Sequence, residues 1–130
     1  MLILTIRTDK PESELGLYSN SEQVGYLKWE AHRQLAETIH LKLEELLNYN
    51  DYKLDKVDGI IYYQGPGSFT GLRIGASVAN ALAYSLKAPI VGVEGESWIT
   101  SGIERLLGKQ GHKIALPKYG QPINITKQKK

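Results

Sequence analysis

Gln64-Gly65-Pro66-Gly67-Ser68-Phe69-Thr70-Gly71-Leu72-Arg73-Ile74-Gly75 decides how this chain folds. It joins an apolar run, Gly59 to Tyr63, to a helix rich in small residues that begins near Thr70. Nucleotides often bind at such a strand–turn–helix junction, but the residue types here argue against the familiar phosphate loops. A Walker loop needs Gly-x-x-x-x-Gly-Lys-Ser/Thr, and no lysine lies between Gln64 and Gly75. The dinucleotide fingerprint Gly-x-Gly-x-x-Gly fails because its third glycine arrives one residue late, at Gly71. Pro66 also removes a backbone donor from the turn. A rigid connection explains the segment: Pro66 fixes one backbone angle, while Gly65 and Gly67 accept conformations that other residues resist.

Outward from this junction the chain reads as an α/β domain. Leu2 to Ile6 is a buried strand and Asp9 to Glu14 a polar turn. Leu15 to Tyr18 and Val24 to Trp29 are partner strands around Asn20-Ser21. A helix from about Gln34 to Asn48 carries Leu35, Ile39, Leu43, Leu46 and Leu47 at helical spacing. Gly59 to Tyr63 is the next strand, followed by the loop and a helix from Thr70 to Ser85. Pro89 to Val93 is a last strand, and Ser97 or Glu96 opens a final helix that ends at Gly108. Three antiparallel strands followed by alternating helices and strands form a mixed sheet in the order of a ribonuclease-H-like half-domain.

Along the second helix Gly71, Gly75, Ala79 and Ala83 recur every fourth residue. Such a stripe admits close approach of another surface. A glycine inside a helix costs about 0.5–1 kcal/mol relative to alanine, so the stripe needs a compensating contact. The residues leave two surfaces open: the domain's own sheet, or a helix of another subunit.

Composition narrows the chemistry. The 130 residues contain no cysteine, which removes disulfides, thiol catalysis and the commonest structural zinc ligand. His32, His40 and His112 are scattered and form no metal-binding cluster. No apolar run approaches the ~20 residues that span a bilayer, and no secretory signal is evident, so a cytoplasmic location is expected. The formal charge of +2 hides an asymmetry. From Lys109 onward there are six lysines and no acidic residue; without them, residues 1–108 hold 10 basic against 14 acidic groups. The basic segment 109–130 is expected to be a terminal strand or tail that touches nucleic acid phosphates or an acidic partner, or that simply solubilises the end of the chain.

The stretch from Gly65 to Gly75, GPGSFTGLRIG, resembles the hallmark of the TsaB family (also called YeaZ), companion subunits in bacterial tRNA threonylcarbamoyladenosine (t6A) synthesis. Leu2 to Thr8, LILTIRT, is similar to the family's opening strand, and Lys87 to Trp98, KAPIVGVEGESW, to the strand and helix after its second helix. His32 sits where the family often carries a histidine. The resemblance covers residues 1–108 in order, with a fainter echo in LPKYGQPINIT near the end. It implies an actin-like ATPase half-domain and a non-catalytic role without cofactor or metal of its own. It further implies that the two helices pair with a TsaD-type catalytic paralogue, or with a second copy when alone, and that a TsaE-type ATPase docks on the pair. Carried onto this chain, the candidate interface is His32, Ala36, Ile39, His40 and Leu43 on the first helix, with Phe69, Gly71, Leu72, Gly75, Ala79 and Ala83 on the second. Gly65, Pro66, Gly67, Ser68, Thr70 and Arg73 form the motif loop. On this view Gly75→Leu should spare the fold and block association.

Two departures bear on catalysis. Full-length members have a second lobe, and one lobe cannot form a two-lobe ATP cleft. In actin-like ATPases an acidic residue at the end of the first strand helps organise metal and phosphate, whereas this chain has Arg7-Thr8. Arginine cannot chelate a cation; Arg7 is expected on a solvated strand end, paired with Glu94 or Glu96. Gly-x-Ser-x-Gly is absent around Ser68, so Ser68 or Thr70 is read as the cap of the second helix. Glu44-Glu45 and Glu94-x-Glu96 are read as solvated acidic pairs. The alternatives to a companion subunit are a free-standing homodimeric regulator, or a small ATPase using the Gly65–Gly71 loop.

Overall fold

Leu2-Ile3-Leu4-Thr5-Ile6 presents apolar or small side chains to both faces, as a strand covered on both sides must. In the computed structural model, which describes residues 1–108, it is the middle strand of five. The basic segment 109–130 and the side chain of His32 lie outside the described residues. The elements are β1 (Leu2–Arg7), β2 (Glu12–Ser19), β3 (Glu22–Glu30), α1 (Leu35–Tyr49), β4 (Gly59–Gly65), α2 (Phe69–Leu86), β5 (Ile90–Glu94) and α3 (Trp98–Leu107). Short 3-10 turns at His32–Gln34 and Leu54–Lys56 bracket α1.

The sheet order is β3-β2-β1-β4-β5. The first three strands run antiparallel to one another, and β4 and β5 add in parallel to β1 and to each other. This mixed sheet is the arrangement expected of the ribonuclease-H-like half-domain. The predicted turn at Asp9–Glu14 is shorter than expected, because pairing with β3 draws Glu12 to Glu14 into β2.

Alternation along the strands assigns the layers. Leu4, Ile6, Ile60 and Tyr62 share one face, which α1 and α2 cover. Ile61 and Gly59 point the other way, where Gly102 and Leu106 of α3 press on them. Tyr63, on that second face, meets the Trp98 ring edge-on at 5.6 Å between centroids. The core therefore has two halves, one on each side of the sheet. The carboxyl ends of β1 and β4 emerge between them, beside the glycine loop.

Candidate functional site

The glycine loop is fixed by its neighbours rather than by its own flexibility. β4 ends at Gly65, whose φ of +115° only glycine adopts easily, and the Gly65–Pro66 peptide is cis. Gly67 lies flat against Asp9: a Cβ there would stand 2.5 Å from the Asp9 Cβ. The Ser68 N–H donates to the Asp9 carbonyl at 3.2 Å. Ser68 is the helix cap, its Oγ accepting from the Gly71 N–H at 3.5 Å. Thr70 lies exposed on the first turn beyond the cap.

The next turns of α2 are bolted to the sheet. The buried Thr8 hydroxyl donates to the Gly71 carbonyl at 2.7 Å, and the buried Tyr62 hydroxyl donates to the Leu72 carbonyl. A Cβ on Gly71 would lie 2.0 Å from the Thr8 carbonyl oxygen, and one on Gly75 2.1 Å from the Thr8 Oγ1. Leu72, Ala79 and Ala83 are buried in the same core. The small-residue stripe therefore serves this domain's own sheet, which corrects the expectation that it receives a partner helix. Ile39 and Leu43 are likewise buried core residues of α1. The hydroxyls of Thr8 and Tyr62, which dictate this close approach, carried no sequence signal that tied them to α2.

What the candidate set leaves exposed is a different face of the same two helices. Ala36 and His40 are exposed on α1, and Phe69 and Arg73 on α2, with the Arg73 guanidinium 5.4 Å from the centre of the Phe69 ring. Two further apolar residues stand out there, Leu41, 60% exposed, and Tyr84, 87% exposed. Tyr84 follows from helical spacing: Thr70, Arg73, Ser77, Ala81 and Tyr84 are the outward positions of α2 that complement its buried stripe. Between α1 and α2 runs a groove of about 320 Å³ lined by His40, Leu43, Glu44, Leu47, Tyr52 and Leu82 among others.

At the strand ends Arg7 points to the α3 side and does not pair as expected with Glu94 or Glu96. Its Nε donates to Asp9 Oδ1 at 2.8 Å and its Nη2 to Asp9 Oδ2 at 3.3 Å. The guanidinium lies over the Tyr63 ring, 4.0 Å from its centre. The hydrogen bond to Asp9 raises the guanidinium pKa further, against the opposing effect of partial burial. This geometry does not fit a divalent metal or a triphosphate held on its metal: both carboxylate oxygens of Asp9 are engaged by a cation that is part of the chain. Among the described residues no three His, Asp or Glu side chains come together in a group that could hold a metal ion. No helix among them is long and apolar enough to cross a membrane.

Comparison with known proteins places this geometry in a family. The model of the family described as "TsaD: tRNA N6-adenosine threonylcarbamoyltransferase" matches residues 19–103. Curated relatives include the tRNA N6-adenosine threonylcarbamoyltransferase of Geotalea daltonii, 31% identical, and that of Burkholderia cenocepacia strain HI2424, 34% identical. Each alignment covers 72% of this chain and 32% of the relative, so the chain spans about a third of their length. Among solved structures, YeaZ from Pseudomonas aeruginosa superposes with a TM-score of 0.66 at 27% identity, over 72% of this chain and 43% of that one. Thermus thermophilus RuvC, at 10% identity and a TM-score of 0.52 over 94% of this chain and 83% of that one, shares the fold alone.

Proposed function

Because this chain belongs to the TsaD family and resembles YeaZ (TsaB) in structure, we propose that it is a non-catalytic companion subunit in tRNA t6A synthesis, docking on a TsaD-type catalytic paralogue through α1 and α2. The observation that carries this is the outward face of α2. Across 18 residues its exposed positions, Phe69, Thr70, Arg73, Ser77, Ala81, Tyr84 and Ser85, hold a single charge. Solvated helix faces are normally charged, and a face with one charge that leaves Phe69 and Tyr84 uncovered suits a protein contact better than solvent. On α1 the exposed Ala36, His40 and Leu41 stand among Glu37 and Glu44, and the α1/α2 groove offers a seat for a partner side chain.

In this role the chain transfers no group itself. Burial of the α1/α2 face stabilises the partner conformation that carries out the chemistry, so its effect on rate is exerted through the partner's conformational equilibrium. Covering the exposed half of Phe69 alone contributes about 1 kcal/mol. A TsaE-type ATPase docking on the pair, and contact of the basic segment 109–130 with tRNA, belong to the same proposal. The Arg7–Asp9 pair weighs against the small-ATPase alternative. The homodimer alternative uses the same face, and the working state is the one that supports modification.

Reconstituted modification tests the role. With the TsaD-type protein of the same organism and the remaining components present, adding this chain should raise t6A formation on tRNA. Equal formation with and without it would overturn the companion role.

A further inference from the structure

The strand-end cluster carries an inference that does not depend on the partner face. Asp9 is nearly buried, and both its oxygens are bonded by Arg7. Its backbone carbonyl accepts from the Ser68 N–H, and its Cβ fills the space that Gly67 leaves open. The same guanidinium stacks on Tyr63, whose ring meets Trp98 at the start of α3. One cation thus touches, directly or through one neighbour, β1, β4, the glycine loop and the first turns of α2 and α3. Glycine loops at strand ends ordinarily gain order from a bound anion or its metal. Here the ordering charge is covalently part of the chain.

We propose that Arg7 is a built-in cation: from the end of β1 it supplies the positive charge that faces the Asp9 carboxylate, and holds the Gly65–Ser68 loop and the start of α2 in place without any ligand. Arg7 is thus a positioning residue for the loop. The consequence is that the loop is equally ordered with and without magnesium or ATP. A bidentate guanidinium–carboxylate pair suits this better than a lysine would, because the fork fixes the orientation of the carboxylate as well as its charge.

Hydrogen exchange of the Ser68, Gly71 and Leu72 amides reads the loop directly, with β5 amides as the internal control. In the unaltered chain, exchange should not change on adding millimolar magnesium, alone or with ATP; slowing at these amides would overturn the proposal. Arg7→Gln should speed their exchange about tenfold while β5 is unaffected; no change would equally overturn it. Arg7→Asp places a second carboxylate beside Asp9. Its loop should be loosened in chelator and tightened again by magnesium, a response that a merely structural role for Arg7 does not produce. Failure of magnesium to restore protection in a variant whose β5 amides stay protected would show that Arg7 does not stand in for a cation.

Discussion

A methyl group added at Gly75 would reach within 2.1 Å of the Thr8 hydroxyl oxygen and 3.0 Å of the Tyr62 ring. Both belong to the hydrogen bonds that tie α2 to the sheet, so neither can move aside cheaply. Gly75→Ala is expected to cost about 2 kcal/mol, a fall of roughly 8 °C in Tm, and Gly75→Leu to abolish the folded state; thermal melts check both. This reverses the expectation that Gly75→Leu spares the fold. A small residue at every fourth position shows that something approaches closely, yet it does not say which surface, because the answer depends on where the Thr8 and Tyr62 hydroxyls lie in three dimensions. A second residue-scale prediction concerns Tyr26. Partial burial of a residue still 47% exposed, then its hydrogen bond to Glu14, pushes the phenol up to about 12. Its neutral form is the one favoured by folding, so its stabilising contribution is complete below the ordinary value near 10 and is lost as pH rises toward about 12. Ultraviolet titrations of the unaltered chain and of Tyr26→Phe should differ by the loss of one late-ionising phenol.

At the scale of elements, the strands and helices were legible because each carries its own period. β1 and β4 are continuously apolar, and α1 repeats leucines at helical spacing. The outer face of α2 was legible too, as the complement of its stripe, although Tyr84 and Leu41 emerge only once the inner face is known. Tyr84→Glu and Ala81→Arg, both exposed, should change stability by no more than about 0.5 kcal/mol. Each should weaken association with the TsaD-type partner by about 100-fold, as a charge buried at the centre of an interface does. Calorimetric titration measures this. A loss of folding in either variant would place these side chains in the core, and unchanged affinity would move the interface elsewhere.

For the molecule as a whole, the layering explains how one small domain can serve two surfaces. α3 covers the second face of the sheet, while α1 and α2 cover the first and turn their remaining faces outward. Arg7 ties the two halves together at the strand ends, through Tyr63 on one side and Asp9 on the other. In the sequence Arg7 was legible as a departure from the acidic residue expected there. Its partner was not, because Asp9 reaches it only after the chain turns beyond β1. Light scattering coupled to size exclusion, on this chain alone and mixed with the TsaD-type protein of its own organism, tests the central claim most directly. The account predicts a 1:1 complex that displaces any homodimer and that Tyr84→Glu prevents. A chain that keeps its own mass or its homodimer in the mixture would contradict it.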